Sequence, residues 1–234
     1  MNLKELSIFK GGRDTFYETL EGSAHVRKYE KNALLFVSGD EAQNFYLIKS
    51  GWVKLFRETL DGSQSVVDIL SSGHIFGEAS IYEEDTYPYS AEVVETAEIV
   101  SFSLSLLKNE IKENNDFAFN MLSSMARYRK QQDREIEHRT IQNAPQRIGC
   151  FLLRLTSQQE QGPITIHLPY DKTLVASRLG MQPETFSRAL TKLKDKTGIR
   201  IKGATVEMDT LDQLINYSCA ACSSGFPCKD LKKA

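Results

Sequence analysis

No apolar run in these 234 residues approaches the roughly 18 that a membrane-crossing helix needs, which excludes an integral helical membrane protein. The opening stretch, MNLKELSIFK, carries charges where a secretory signal needs an uninterrupted apolar core, so export is not expected and the cytoplasm is. Catalytic signatures are missing as well. There is no Ser-His-Asp set, no P-loop, no G-x-G-x-x-G and no carboxylate pair with an evident role, so an enzyme is not expected. Net charge is nearly absent, with 29 Lys and Arg against 31 Asp and Glu, but its distribution is uneven. From Ile141 onward thirteen basic residues face eight acidic ones. Between Lys172 and Lys202 the ratio is eight to two, a concentration that suits a polyanion because basic clusters neutralise phosphates and release counterions.

The length suggests two modest domains. From about residue 25 to 103, β-branched and aromatic segments alternate with turn signals. Leu34–Val37, Phe45–Ile48, Val53–Phe56, Ser65–Leu70 and Ala97–Phe102 read as strands, and Ser38-Gly39-Asp40, Lys49-Ser50-Gly51, Asp61-Gly62 and Ser71-Ser72-Gly73 as turns between them. Short strands at roughly ten-residue intervals predict an antiparallel barrel or sandwich. The period then changes. Neither Pro nor Gly interrupts Ser105–Gln142, and Leu106, Leu107, Ile111, Phe117, Met121, Leu122 and Met125 recur at helical spacing, predicting one long helix. Its second half is polar, so the helix is either a solvated connector or half of a seam with a second copy, and a homodimer is expected.

Asn143-Ala144-Pro145 marks a boundary, followed by an apolar-faced helix from Gln146 to Thr156 and a short strand at Thr165–Pro169. The stretch from Asp171 to Leu190 is the most informative. Asp171 or Thr173 can cap a short helix with Leu174, Val175 and Leu179 inward, and Gly180 supplies the left-handed turn that ends it. Pro183 suits the first position of a second helix whose core face is Phe186, Leu190 and Leu193. Two short helices across a glycine turn make a helix-turn-helix, whose second helix enters the major groove. That leaves Gln182, Glu184, Thr185, Ser187 and Arg188 free for base edges or phosphates, with Thr173, Lys192 and Lys202 flanking them. Arg188 can donate twice to guanine, and Glu184, four residues earlier on the same face, can accept from cytosine N4. The plainer alternative is a surface Glu/Arg pair on a solvated helix. Ile199–Met208 reads as a hairpin turning at Lys202-Gly203, the wing of a winged helix. A ligand-binding module without DNA function would lack the Gly180 turn and the basic window.

The Pro-Glu-Thr-Phe-Ser-Arg start of this helix follows a long helix and a β-rich region containing Gly39-Asp40, Gly51 and Phe76-Gly77-Glu78. In this order the motifs resemble the cyclic AMP receptor protein/FNR superfamily of bacterial transcription regulators, over about residues 24–209. The resemblance implies an α+β fold: a cyclic-nucleotide-binding-type antiparallel β-roll sensor (1–104), a long dimerisation helix (105–142), a winged helix-turn-helix (143–210) and a Cys-containing tail (211–234). It also implies a homodimer on palindromic double-stranded promoter DNA, with RNA polymerase as a further partner. Glu184, Ser187 and Arg188 match the family's base-reading positions, and the Ser-Arg pair points to TTGA-like half-sites. Pro183 departs from the pattern, since relatives often have Arg or another contacting residue there.

The signal is a separate question. In cyclic-AMP-responsive relatives an Arg and a small hydroxyl residue after the Gly-Glu motif hold the cyclic phosphate. Here the motif is Gly77-Glu78, Tyr89 or Pro88 takes the Arg place and Ser90 remains, while no Arg or Lys lies between Arg57 and Lys108. On the central helix Gln132 and Asp133 stand where nucleotide binders place hydroxyls. Cyclic AMP is therefore not the expected effector, and Gly77, Glu78, Tyr89, Ser90, Gln132 and Asp133 remain the candidate effector pocket. Of four cysteines, Cys219, Cys222 and Cys228 form a C-x-x-C-x5-C cluster in the tail and Cys150 stands alone. Three thiolates at that spacing suit an iron–sulfur cluster or a zinc ion, with Cys150 or His138 as fourth ligand. The alternative is free thiols in a frayed tail. The cluster is similar to the C-terminal one of Bacillus-type FNR regulators, which implies an oxygen or nitric oxide signal. A haem bound through His74 is a further alternative.

Overall fold

The computed structural model describes residues 3–81, 85–156, 162–168 and 172–222. The chain parts into two compact units, Met1–Arg127 and Tyr128–Ala234.

The first unit opens with two short 3-10 turns and helix α1 (Asp14–Gly22). Strands β1 (His25–Tyr29), β2 (Leu34–Phe36), β3 (Asn44–Glu58), β4 (Gln64–Ser71), β5 (Ile75–Phe76) and β6 (Ser90–Ser103) follow. They make a six-stranded antiparallel sheet in the order β1-β6-β3-β4, with β2 also paired to β6 and β5 to β3. Phe9, Phe45, Leu47, Phe76, Phe102, Leu107 and Phe117 fill its core. Two of the expected strands prove to be one. Lys49-Ser50-Gly51 is an irregularity within β3 rather than a turn between strands. Gly51 has φ +88°, and a Cβ there would come within 2.7 Å of the Ala97 backbone on β6, so only glycine lets the strand run through. The Asp61-Gly62 hairpin forms as expected between β3 and β4.

The expected single long helix is also divided. Helix α2 (Leu104–Glu113) stops at Asn114, whose backbone is extended (φ −134°, ψ 101°), and α3 (Asn115–Ile141) begins anew. The Phe117 N–H donates to Asn114 Oδ1 at 3.2 Å, so an Asn at the break satisfies a donor that the new helix leaves open. Buried Glu110 accepts from the Arg13 guanidinium (2.7 Å) and from Asn114, which ties the N-terminal segment to α2. No helix among the described residues is long and apolar enough to cross a membrane.

In the second unit, the carboxyl half of α3 is followed by α4 (Ala144–Leu155), opened by a reciprocal cap between Asn143 and Gln146 and by Pro145 in its first turn. Strand β7 (Ile164–His167), helices α5 (Lys172–Arg178) and α6 (Pro183–Thr197), and strands β8 (Arg200–Lys202) and β9 (Thr205–Met208) come next. The three strands pair antiparallel in the order β7-β9-β8, so the expected wing is present. The sequence assigns no element to the tail, and Asp212–Ser218 forms α7, with a 3-10 turn following at Cys219–Ala221. Its last carbonyls are held by side chains, Ser218 O by Gln142 Nε2 (3.5 Å) and Tyr217 O by Gln146 Nε2 (3.4 Å). Gly149 of α4 permits this packing, because a Cβ there would overlap the buried Ser218 hydroxyl.

Candidate functional site

Helices α5 and α6 are separate rods. Gly180 takes φ +64° between them, its N–H donates to Ser177 O (3.0 Å), and the Met181 N–H donates to Ala176 O (2.9 Å). Phe186, Ala189, Leu190 and Leu193 bury one face of α6. On the other side Gln182, Glu184, Thr185, Ser187, Arg188 and Lys192 are exposed, as are Thr173 on α5 and Lys202 at the wing turn. Among the described residues no ion pair joins Glu184 to Arg188, so both termini are open to a partner. Gln182 is the N-cap of α6 and makes no side-chain cap bond, and Pro183 at the first helical position carries no amide N–H. Asp171, the other expected cap of α5, lies outside the described residues.

The basic window is smaller in space than in sequence. Arg178 is turned inward to Glu135 on α3, donating from Nη1 (3.1 Å) and Nη2 (2.9 Å), and Arg154 of α4 donates to the same carboxylate at 2.9 Å. Burial alone would raise the Glu135 pKa, but the bonds and charge of Arg178, then Arg154, outweigh it and hold the carboxyl down at about 2. Arg200 is likewise committed to Asp209 (2.8 Å) and Glu207 (3.4 Å), and its guanidinium is held more firmly protonated by Asp209 first and Glu207 second.

In the first unit the candidate effector loop closes on aromatic contacts. The Gly77 N–H donates to the Tyr89 hydroxyl at 3.2 Å, and the Ser38 N–H donates to Ser90 Oγ at 3.0 Å. Tyr87 stacks on Phe36 with ring centroids 3.7 Å apart, and Phe36 in turn stacks on Tyr46. Burial pushes the Glu78 carboxyl up to about 7, and its Oε2 finds no hydrogen-bond partner among the described residues. Two cations from outside the loop reach it, Lys108 through Asp85 and Arg57 through Pro88. Pairing of Phe56 with Ser90 across β3 and β6 carries Arg57 to the loop, where Nε donates to Pro88 O at 2.9 Å. Only the strand register reveals that neighbour. Gln132 and Asp133 belong to the second unit; both are exposed, and Asp133 pairs with Arg129 at 3.1 Å.

The sulfur-bearing residues gather on one imidazole. His138, near the end of α3, is only 7% exposed. Its Nε2 lies 3.3 Å from Cys222 Sγ, and its Nδ1 lies 3.9 Å from Cys150 Sγ. Cys219 shares a tight turn with Cys222, whose N–H donates to Cys219 O at 3.1 Å. Cys150 and Cys222 therefore approach different nitrogens of the same ring. Cys228 lies outside the described residues, among which no group of three or more His, Cys, Asp or Glu could hold a metal ion. His74, the candidate haem residue, is exposed and its Nδ1 lies 3.0 Å from Ser71 O.

Comparison with known proteins adds two family models, two relatives and a solved structure. A family model described as "Cyclic nucleotide-binding domain" matches residues 26–114, and one described as "Crp-like helix-turn-helix domain" matches residues 146–217. The chain is 30% identical over 182 residues to the "Cyclic AMP receptor protein" of Thermus thermophilus, covering 78% of this chain and 82% of that protein. It is 27% identical to the "Anaerobic regulatory protein" of Bacillus subtilis over 79% of each. A solved structure described as a putative cAMP-binding regulatory protein from Silicibacter pomeroyi is 30% identical, with TM-score 0.68 over 92% of this chain and 97% of that one.

Proposed function

The chain belongs to the cyclic AMP receptor protein/FNR family of DNA-binding transcription regulators, which are not enzymes, and from that membership we propose a cytoplasmic homodimer that binds palindromic TTGA-like promoter sites under a redox or gas signal, oxygen or nitric oxide. The observation that carries the DNA reading is α6, whose Glu184, Ser187 and Arg188 stand exposed opposite a fully buried face. A recognition helix needs that division, one side fixed by packing and the other free for base edges. The dimer is supported by α3, which leaves Phe119, Leu122, Met125 and Ile136 to solvent, and a second copy of the same helix would cover them. RNA polymerase is the partner implied by the family.

A redox or gas signal rather than cyclic AMP is supported by Tyr89 in the place of the phosphate-binding Arg, and by the sulfur-rich surround of His138. An iron–sulfur cluster on Cys219, Cys222 and Cys228 would supply a redox-labile centre. Its further ligand would be His138 or Cys150, which lie together in the structure with Cys150 Sγ 3.9 Å from His138 Nδ1 and Cys222 Sγ 3.3 Å from His138 Nε2. One observation favours a second reading, a cyclic-nucleotide-responsive regulator: Arg57 reaches the effector loop at Pro88.

The test is fluorescence anisotropy on a palindromic TTGA duplex and on a scrambled duplex at one salt concentration, with protein prepared anaerobically, exposed to air, and mixed with cyclic AMP. The expected preference for the palindrome is about 1,000-fold or more, lost in air and indifferent to cyclic AMP. Equal binding to both duplexes would overturn the DNA-reading assignment. A preference that appears only with cyclic AMP would establish the second reading.

A further inference from the structure

Arg147 closes the first turn of α4, its N–H donating to Asn143 O at 3.0 Å, and its side chain reaches the connection between the two reader helices. There Nη1 donates to Leu179 O at 3.4 Å, the last carbonyl before Gly180. Gly180 and Gln182, on the same connection, are exposed.

This guanidinium is poorly provided for. It is half-buried, and its Nε is shut off from solvent without a hydrogen-bond partner among the described residues. Arg154 and Arg178 meet Glu135, and Arg200 meets Asp209, but among the described residues no carboxylate pairs with Arg147. Burial first, and then the charge of Arg139 on the last turn of α3, push the Arg147 guanidinium below its ordinary value. Arg139 is exposed, and it too has no carboxylate partner among the described residues. Two cations set close together, one of them partly desolvated, are unfavourable until an anion joins them.

The donor set suits a phosphate, because planar guanidinium groups donate in pairs to its oxygens and shed water readily. The place of the site names the source. It adjoins the connection that leads into Gln182, Glu184 and Arg188, and contacts to the nucleic-acid backbone beside base-reading residues are what fix a reader in register on the duplex.

We propose that Arg147, with Arg139 beside it, grips a phosphate of the duplex backbone from outside the two helices of the reader. The inference rests on the DNA reading of α6, and adds a backbone contact that α3 and α4 supply to it.

The test uses the full-length chain with the palindromic and scrambled duplexes, followed by fluorescence anisotropy between about 50 and 200 mM salt. Each phosphate neutralised contributes about 0.9 to the slope of log K against log salt, and a dimer makes the contact at both half-sites. Arg147→Gln is therefore expected to flatten the slope by about 1.8 and to weaken binding to both duplexes by the same factor, about tenfold or more. Arg139→Gln, at an exposed position, should change the slope in the same direction, whereas Arg147→Lys, which keeps the charge, should preserve it. Because Arg147 is half-buried, the unsubstituted chain is also measured on duplexes in which one phosphate at a time is replaced by an uncharged methylphosphonate. One position in each half-site is expected to weaken the unsubstituted chain and to have no further effect on Arg147→Gln. If Arg147→Gln binds more weakly but keeps the original slope and the original response to every methylphosphonate, Arg147 only braces the connection, and the inference is overturned with the DNA reading intact. If inorganic phosphate at constant ionic strength raises the thermal midpoint of the unsubstituted chain but not of Arg147→Gln, while no methylphosphonate position distinguishes the two, the site takes a free anion and the duplex contact is overturned. Failure of the unsubstituted chain to bind either duplex overturns the DNA reading itself.

Discussion

Replacing Glu135 by Gln removes the carboxylate on which Arg154 and Arg178 converge, while keeping its size. The structure sets the magnitude. The carboxyl is held at about 2 rather than an ordinary 4.5, and its side chain is 21% exposed, so the interaction is only partly screened. At about 1.4 kcal/mol per tenfold change in proton affinity, the ionised carboxylate, with the arginines' attraction set against its burial, contributes a net of about 3 kcal/mol to the folded state at neutral pH. Gln retains one acceptor but takes away the negative charge that Arg154 and Arg178 share, so a loss of about 2–4 kcal/mol is expected. The sign with pH follows. A depressed carboxyl stabilises above its unfolded value near 4.5 and loses that contribution as pH falls toward 2. Trp52, the single tryptophan, lies in the other unit, so the assay is hydrogen exchange of the α4 and α5 amides. In Glu135→Gln their protection should fall by the stated amount at pH 7, and the difference from the native chain should narrow below pH 4. Protection unchanged at pH 7 would refute the argument that this carboxylate holds α5 against α3.

The remaining expectations concern other sites. Arg188→Ala should cost about 1–3 kcal/mol of specific binding and relax preference at one base pair, as measured on a panel of single-substitution duplexes; a uniform loss across all sequences would show a phosphate contact instead. Glu78, pushed up to about 7 by burial, favours folding when protonated, so stability should decline as pH rises from about 4.5 through 7. In Glu78→Gln that decline should flatten in thermal unfolding followed from pH 5 to 8, and an unchanged slope would count against the burial argument. Gly149→Ala sets a methyl group against the Ser218 hydroxyl and should destabilise the docking of α7 by about 1–3 kcal/mol, seen as faster exchange over residues 212–218.

The reader's two helices were legible because their signals are local: Gly180 at a left-handed turn, Pro183 at a helix start, and Phe186, Leu190 and Leu193 at helical spacing. Where tertiary structure overrides a local signal, the reading departed from the fold. Gly51 resembles a turn residue, yet it serves the close crossing of β3 over Ala97. Asn114 carries no strong breaker signal, and only its cap on Phe117 shows why α3 restarts there. The polar tail sequence hid α7, whose order comes from Gln142, Gln146 and Gly149 more than 60 residues earlier. Charge counting credited Arg178 to the DNA face, but its partner Glu135 lies 43 positions away and no spacing rule connects them. Arg57 escapes a count along the loop for the same reason, since sheet register and not chain distance brings it to Pro88.

The pairing of Glu135 with Arg178 redraws where this molecule can be cut and joined. Asn143-Ala144-Pro145 is the obvious splice point for grafting the reader onto a foreign sensor, yet a chimera joined there would discard Glu135, on which Arg154 and Arg178 converge, and His138, which Cys150 and Cys222 approach. A transplantable cassette has to begin near Tyr128, so that the donor's own last turns of α3 travel with the domain they brace.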